Sequence, residues 1–294
     1  MIRPPPPRTI AEIIRRVARR FGAAHLAYGH GTLNARQEAS WLVLHACRIP
    51  MDDFVQHAAR DLTVAEMRRI DKLAERRIRD RIPIAYLTHE AWLGKYRFYV
   101  DRRAIVPRSF IAELLPDGIE PFLHGPVRSA LDLCAGSGCL GVLLAHAFPR
   151  AMVDGVDLSP RALAVAKRNV EDYALESRIR LAQSDLFDAI PARRYDIIVS
   201  NPPYVDAPTM ARLPAEYRSE PRMALSGGED GLFLVRRILS AAKRHLKPRG
   251  VLVCEIGHNR RALERAYPRV PFTWLDTSAG DGLVFLLERE QFPG

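Results

Sequence analysis

Ala130-Leu131-Asp132-Leu133-Cys134-Ala135-Gly136-Ser137-Gly138-Cys139-Leu140-Gly141 reads as a hydrophobic strand that enters a glycine-rich turn and leaves it as a helix. Glycines in such a turn let the backbone approach a ligand closely at positive φ, which a Cβ would oppose. About twenty residues on, Val156-Asp157 ends the next strand, at the spacing where a carboxylate meets ribose hydroxyls. Gly136, Gly138 and Gly141 also satisfy the G-x-G-x-x-G fingerprint of dinucleotide sites. By itself the element therefore means a nucleoside-containing cofactor, NAD included. A tight turn without a ligand is the plainer alternative.

Outward from this turn, strand and helix alternate. Apolar runs place strands at 129–134, 151–156, 179–183, 195–200, 250–256, 272–276 and 283–288; periodicity places helices at 138–147, 160–173, 230–246 and 259–267. Such repetition predicts an α/β fold with a doubly wound, mainly parallel sheet. Between the last two strands stands only Gly280-Asp281-Gly282, so they form a hairpin that puts an antiparallel strand at one end of the sheet.

Before residue 80 the period is helical throughout. Ile10, Ile13, Ile14, Val17 and Ala18 recur at helical spacing, and Asn34 caps a segment ending near Cys47. Thr63 and Glu66 form a capping box ahead of Met67, Ile70, Leu73, Ala74 and Ile78. Residues from Trp92 to Val100 suggest a hairpin around Gly94-Lys95, and a short helix runs from about Ser109 to Leu115. The predicted organisation is a small helical domain over 1–80, a hairpin and linker over 81–110, and a catalytic domain over 111–294.

The 294 residues are 48% hydrophobic and 27% charged, which argues against wholesale disorder and fibrous repeats. No stretch approaches the roughly eighteen uninterrupted apolar residues of a membrane-spanning helix. The net charge of +10 is uneven: residues 1–100 hold 18 Lys or Arg against 10 Asp or Glu, and residues 101–294 hold 26 against 24. Solvated helix faces would explain the excess, and so would a region that meets RNA or a ribonucleoprotein. Cys47, Cys134, Cys139 and Cys254 form no C-x-x-C pair and stand near no histidine at ligand spacing. Buried free thiols in the reducing cytoplasm are the expectation, with no metal site. Met1-Ile2-Arg3 and the run Pro4 to Pro7 lack the features of a secretory signal. The Arg-rich stretch 8–20 would suit a mitochondrial presequence, but its apolar spacing favours a folded amphipathic helix.

Tyr195-Asp196-Ile197-Ile198-Val199-Ser200-Asn201-Pro202-Pro203-Tyr204-Val205 carries the chemistry. A buried strand runs directly into Asn-Pro-Pro-Tyr at its carboxyl end, where open α/β sheets bind ligands. Two consecutive prolines stiffen the chain and remove two N–H donors. Acceptors remain: the Asn201 side-chain oxygen and the Pro202 carbonyl. They suit a planar NH₂ group, with Tyr204 packed on its face. An ordinary proline turn is the bland reading. Upstream, Asp185 ends the third strand, where it can accept from an adenine amino group or simply cap a helix.

Asp132 to Gly138, Asp157, Asp185 and Asn201-Pro202-Pro203-Tyr204 together resemble the S-adenosylmethionine-dependent methyltransferases that modify exocyclic or amide nitrogens. The terminal hairpin fits their Rossmann-like seven-stranded class I sheet. A plain NAD dehydrogenase has neither that hairpin nor a use for Asn-Pro-Pro-Tyr. Arg81-Ile82-Pro83-Ile84-Ala85-Tyr86-Leu87, Phe98-Tyr99-Val100, Val106-Pro107-Arg108 and the stretch from Glu220-Pro221-Arg222 to Leu232 resemble the protein-glutamine N5-methyltransferases, over nearly the whole chain. Of its two bacterial branches, the release-factor branch carries Pro-Arg-Pro-Glu-Thr-Glu after the hairpin. Pro107-Arg108-Ser109-Phe110-Ile111-Ala112-Glu113-Leu114 and Tyr86-Leu87-Thr88-His89-Glu90-Ala91-Trp92 are similar instead to the branch that methylates ribosomal protein L-three of the large subunit. That branch usually has Pro where Phe110 stands.

The resemblance implies S-adenosylmethionine as cofactor. Cys134, Ala135, Gly136, Ser137 and Gly138 would approach its methionine portion, Asp132 its ammonium, Asp157 its ribose, and Asp185 with Leu186 its adenine. Asn201 and the Pro202 carbonyl would take the two hydrogens of the substrate amide, Pro203 and Tyr204 would wall it, and Asn201 would touch the cofactor too. Phe98 and Arg108 either border the substrate channel or pack; His89 and His258 read as structural or solvated. The implied partner is a large-subunit ribosomal protein, free or in a pre-ribosomal particle, with rRNA contact through the basic N-terminal domain and no membrane. Three other readings stand beside it: release-factor glutamine methylation, adenine N6 methylation of DNA or RNA, and a non-catalytic ribosome-assembly factor, against which the intact Asn-Pro-Pro-Tyr argues.

Overall fold

The computed structural model describes residues 8–190 and 192–292, so the proline run at 4–7 lies outside the described residues. Two compact units divide the chain. One comprises the residues up to Glu90 with Pro214–Ser219; the other comprises Ala91–Leu213 with the residues from Glu220 on.

The first unit is helical: α1 (Ile10–Ala23), α2 (Ala35–Cys47), a short α3 (Phe54–His57), α4 (Val64–Asp80) and α5 (Ile84–Thr88). Thr9 and Glu12 close a capping box on α1, Thr63 and Glu66 one on α4, and the Asn34 side chain accepts from Arg36 and Gln37 N–H to start α2. Such caps contribute about 1 kcal/mol each. Ile10, Ile13, Ile14, Val17 and Phe21 of α1 form one buried stripe, as the spacing predicts. At the centre lies a buried ion cluster. Arg77 is fully buried, its Nε on the Glu38 carboxylate, its Nη1 3.4 Å from Glu216 Oε1 and its Nη2 donating to Ala27 O at 2.8 Å. Glu216 also accepts from Ala27 N and from Arg81. Although burial pushes the Glu216 carboxyl up, backbone N–H donors and the two guanidiniums bring it below its ordinary range. Pro214–Ser219, which the sequence reading leaves inside the catalytic domain, thus packs into the helical unit through a carboxylate that no periodicity announces.

In the second unit the predicted hairpin forms as β1 (Ala91–Leu93) and β2 (Tyr96–Phe98); the helix expected over 109–115 shrinks to α6 (Ile111–Leu114). Then come β3 (Ser129–Leu133), α7 (Cys139–Ala147), β4 (Met152–Asp157), α8 (Pro160–Asp172), β5 (Ile179–Gln183), β6 (Tyr195–Ser200), α9 (Ala207–Arg212), α10 (Phe233–His245), β7 (Leu246–Glu255), α11 (Arg260–Ala266), β8 (Thr273–Thr277) and β9 (Gly280–Glu288). The seven-stranded sheet runs β5-β4-β3-β6-β7-β9-β8, parallel as far as β7, with β9 antiparallel to both neighbours. Successive residues of β6 serve opposite faces: Ile197 and Val199 pack in the core that holds Leu140 and Leu144 of α7, Ile198 in the one that holds Val235 and Ile238 of α10. Helices on both faces explain why the central strand β6 is apolar on both sides over Ile197–Val199.

The terminal hairpin differs in detail from the expectation. β9 is inserted between β7 and β8, so the antiparallel strand sits one place in from the edge. Gly280-Asp281-Gly282 is not the connection but the start of β9, because Thr277 pairs with Gly280 and leaves only Ser278-Ala279 to turn the chain. Two-residue turns match the twist of paired strands better than longer ones. All four cysteines are free, Cys139 and Cys254 buried and Cys47 and Cys134 half-buried.

Candidate active site

Where β3 ends, Cys134 takes φ +65°, followed by Gly136 at +55° and Gly138 at +76°. At Gly138 a Cβ would stand 2.9 Å from Ala166 Cβ, so glycine here permits close packing of the turn on α8 as well as the turn itself. Asp132 points from β3 into α7: its Oδ2 accepts the Gly141 N–H at 2.8 Å, and its Oδ1 has no hydrogen-bond partner among the described residues. Burial pushes this carboxyl up to about 7, and the charge of Asp157 adds to the rise. Asp157 at the end of β4 accepts from Gly136 N and Ser159 N, each at 2.8 Å, yet burial still raises it. Leu158 beside it is 48% exposed. Across β5, Leu186 is buried in the left-handed region, and Asp185 pairs with Arg237 at 2.9 Å. The orphaned buried oxygen of Asp132 calls for a cationic or N–H-bearing group. Asp157, Leu158 and Leu186, at the carboxyl ends of neighbouring strands, suit a ribose and a flat base. The donor set fits S-adenosylmethionine.

β6 delivers the second half of the site. Ser200 pairs with Leu133 across the β3–β6 ladder and donates its Oγ to Leu133 O at 2.8 Å, which ties the start of Asn-Pro-Pro-Tyr to the start of the glycine turn. The Asn201 amide donates through Nδ2 to Arg108 O at 2.9 Å, so Oδ1 is its acceptor end. Pro202 is buried; Pro203 and Tyr204 are half-buried. The Tyr204 hydroxyl donates to Glu255 Oε1 at 3.0 Å, and Glu255 Oε2 accepts from Ser109 Oγ at 2.7 Å and Phe110 N at 2.9 Å. Burial raises the Glu255 carboxyl despite these donors. Arg108 forks onto buried Glu220 at 2.6 and 2.7 Å, and Glu220 also accepts from Val106 N. Two acceptors on a rigid turn can orient a planar amide. Burial drives the Cys134 thiol far above its ordinary range, which speaks against thiolate chemistry.

Thus the structure brings Asp132, the 134–138 turn, Asp157 and Asn201–Tyr204 to adjacent carboxyl strand ends, with Asp185 and Leu186 at the end of β5. Phe98 is core rather than channel, with 1% of its surface exposed, and the Arg108 side chain is engaged by Glu220. Sequence reasoning missed Leu158, Ser109, Glu220 and Glu255. Glu255 had a signal: it ends a parallel strand at the same edge as Asp132 and Asp157, where ligand sites form.

Residues 114–213 match the family described as Methyltransferase small domain, and residues 12–88 match the PrmC N-terminal domain. The ribosomal protein uL3 glutamine methyltransferase of Neisseria meningitidis serogroup B is 53% identical over 288 residues, covering 97% of this chain and 95% of that one. The protein of the same name from Burkholderia pseudomallei is 50% identical, covering 99% and 97%. Among solved structures, the hMettl16 catalytic domain in complex with MAT2A 3'UTR hairpin 1 matches with a TM-score of 0.54 at 17% identity, over 83% of this chain and 90% of that one, a likeness of fold alone. Identity of about half over almost the full length of both partners decides the matter: the chain belongs to the family of the ribosomal protein uL3 glutamine methyltransferases.

Proposed function

We propose that this protein transfers a methyl group from S-adenosylmethionine to the side-chain amide nitrogen of a glutamine in ribosomal protein uL3. The near full-length identity to relatives of that name carries the reading, and it favours uL3 over release factors and over adenine. When bound, the cofactor supplies an electrophilic methyl. A glutamine amide nitrogen is a poor nucleophile, its lone pair delocalised into the carbonyl, so the chain's work is alignment and charge stabilisation. Asn201 Oδ1 and the Pro202 carbonyl accept the two amide hydrogens, hold the nitrogen in line, and favour the positive charge that grows on it. Pro203 and Tyr204 wall the amide. The test is methyl-labelling of purified uL3, a release factor and an oligonucleotide side by side: label in uL3 supports the reading, and label confined to nucleic acid overturns it.

For the cofactor, Cys134, Ala135, Gly136, Ser137 and Gly138 line the methionine portion, Asp132 meets the ammonium, Asp157 the ribose, and Asp185 with Leu186 flanks adenine; Asn201 touches the cofactor as well. Asp132 gives a pH-dependent outcome. Its folded carboxyl sits at about 7, above the ordinary 3.8, so the free protein holds a proton that the unfolded chain has released. Stability from this group is present below about pH 4 and is lost as pH rises through 7. Cofactor affinity runs the other way, because the ammonium pairs with the ionised form. Asp132→Asn should weaken cofactor binding about tenfold at pH 8 and little at pH 6. Calorimetric titration at both pH values checks it; an equal loss at the two would remove Asp132 from that role.

The helical unit is the docking module in this reading, for uL3 either free or within a cytoplasmic pre-ribosomal particle. Arg15 and Arg19 of α1 and Arg68, Lys72 and Arg76 of α4 are exposed at helical spacing, a row suited to rRNA phosphates. Replacing these five by Gln should weaken binding to rRNA-bearing substrate and lower the slope of log K against log salt by about one for each phosphate released from its cation, with cofactor affinity unchanged. An unaltered salt slope would return the charge to mere solvation.

A further inference from the structure

Four residues outside the cofactor turn and the acceptor pair converge on Tyr204: Glu255, Asn259, Gly257 and Gly227. Its hydroxyl reaches Glu255 Oε1, and its carbonyl accepts from Asn259 Nδ2 at 2.8 Å. Gly257 takes φ +53° beneath its ring, where a Cβ would lie 2.7 Å from Tyr204 Cε2. On its other side Gly227 packs against its backbone, and a Cβ there would lie 2.7 Å from Tyr204 Cα. The carboxylate that fixes the hydroxyl is buried and also gathers Ser109 Oγ and Phe110 N. Those two residues directly follow Arg108, whose carbonyl takes the Asn201 amide hydrogen.

From this geometry we infer that Glu255 is a positioning residue of the methyl transfer: one buried carboxylate ties Tyr204 to the 108–110 segment and thereby fixes both the aromatic wall and the end of the Asn201 amide that faces the substrate. The inference rests on the proposed function and adds to it a residue that touches neither substrate nor cofactor. The physical reason is that Asn201 can present Oδ1 only while Nδ2 is engaged elsewhere. Its partner is a backbone carbonyl on a loop, and a loop carbonyl stays in place only if its segment is held. Glu255 holds it from Ser109 onward, and Glu220 holds it through Val106 N and the Arg108 fork. Burying a carboxylate is costly unless donors surround it, and here three do. A core built for stability alone would be served as well by an apolar residue.

Glu255→Gln keeps size and one acceptor oxygen while removing the charge. The expected result is a fall in kcat of about tenfold, with KM for the protein substrate and cofactor Kd within about twofold and no loss of thermal stability. In a Tyr204→Phe background, which lacks the hydroxyl, the same substitution should cost only about threefold in kcat, because the path through Tyr204 is already gone and only the tether to Ser109 and Phe110 remains to be lost. An unchanged kcat, or an equal loss in both backgrounds, overturns the positioning role. Should Glu255→Gln misfold, Ser109→Ala removes one tether and leaves the carboxylate in place; kcat should then fall a few fold, and an unchanged value overturns the inference. Wild-type protein that methylates no uL3 sinks the proposed function itself, whereas active wild type with an equally active Glu255→Gln sinks only this inference.

Discussion

Asn201→Ala should lower the rate of methyl transfer by on the order of 10²–10³ while cofactor affinity changes only a few fold. The substitution removes the Oδ1 acceptor that holds one amide hydrogen, and it strips Arg108 O of the donor that now engages it. Both losses fall on alignment. Neither touches the Asp132 and Asp157 carboxylates or the turn around Gly136. The effect belongs in kcat, because an acceptor that strengthens as the nitrogen gains positive charge acts more in the transition state than in the ground state. Single-turnover labelling beside calorimetric cofactor titration separates the two. Equal losses in rate and cofactor affinity would make Asn201 chiefly a cofactor ligand.

Arg77→Met should cost about 3–5 kcal/mol of stability in the helical unit. Arg77 is fully buried between Glu38 and Glu216, which are 1% and 2% exposed. Removing it strands charge where water cannot reach, although Thr32 still donates to Glu38 and Arg81 to Glu216. The native cluster itself contributes less than that loss suggests, because its burial already cost desolvation. The check is urea denaturation followed by a probe in each unit. Adding Glu38→Gln to Arg77→Met should recover part of the loss, since it removes one of the two stranded charges. A single variant as stable as the wild type would mean that solvent reaches the cluster.

The contrast between these sites shows what a linear sequence reveals. Strand and helix limits around the glycine turn were legible because period and burial coincide there: β5 was expected at 179–183 and forms at Ile179–Gln183, and α8 was expected at 160–173 and forms at Pro160–Asp172. The capping box of α4 was legible because Thr63 and Glu66 lie three residues apart; the one that Thr9 and Glu12 form on α1 has the same spacing and was passed over. The position of Asn201–Tyr204 at the carboxyl end of a buried strand was legible because its four residues are consecutive and directly follow an apolar run. The supports of that segment were not. Ser109 and Glu255 are 146 positions apart, Arg108 and Glu220 are 112, and Arg77 and Glu216 are 139. A carboxylate that pairs at such range carries no local pattern. The hairpin turn was misplaced for a related reason: register is set by cross-strand pairing, and two glycines inside β9 look like a loop until Thr277 is seen opposite Gly280.

The central claim is a methyl group on a glutamine of uL3, placed there through Asn201. Large-subunit proteins from cells lacking the gene, incubated with S-adenosylmethionine and either wild-type protein or Asn201→Ala, provide the direct measurement by peptide mass spectrometry. The account predicts a gain of one methyl on a single uL3 glutamine with the wild type and none with the variant. Unmodified uL3, with the methyl found instead on a release factor or on nucleic acid, would contradict it.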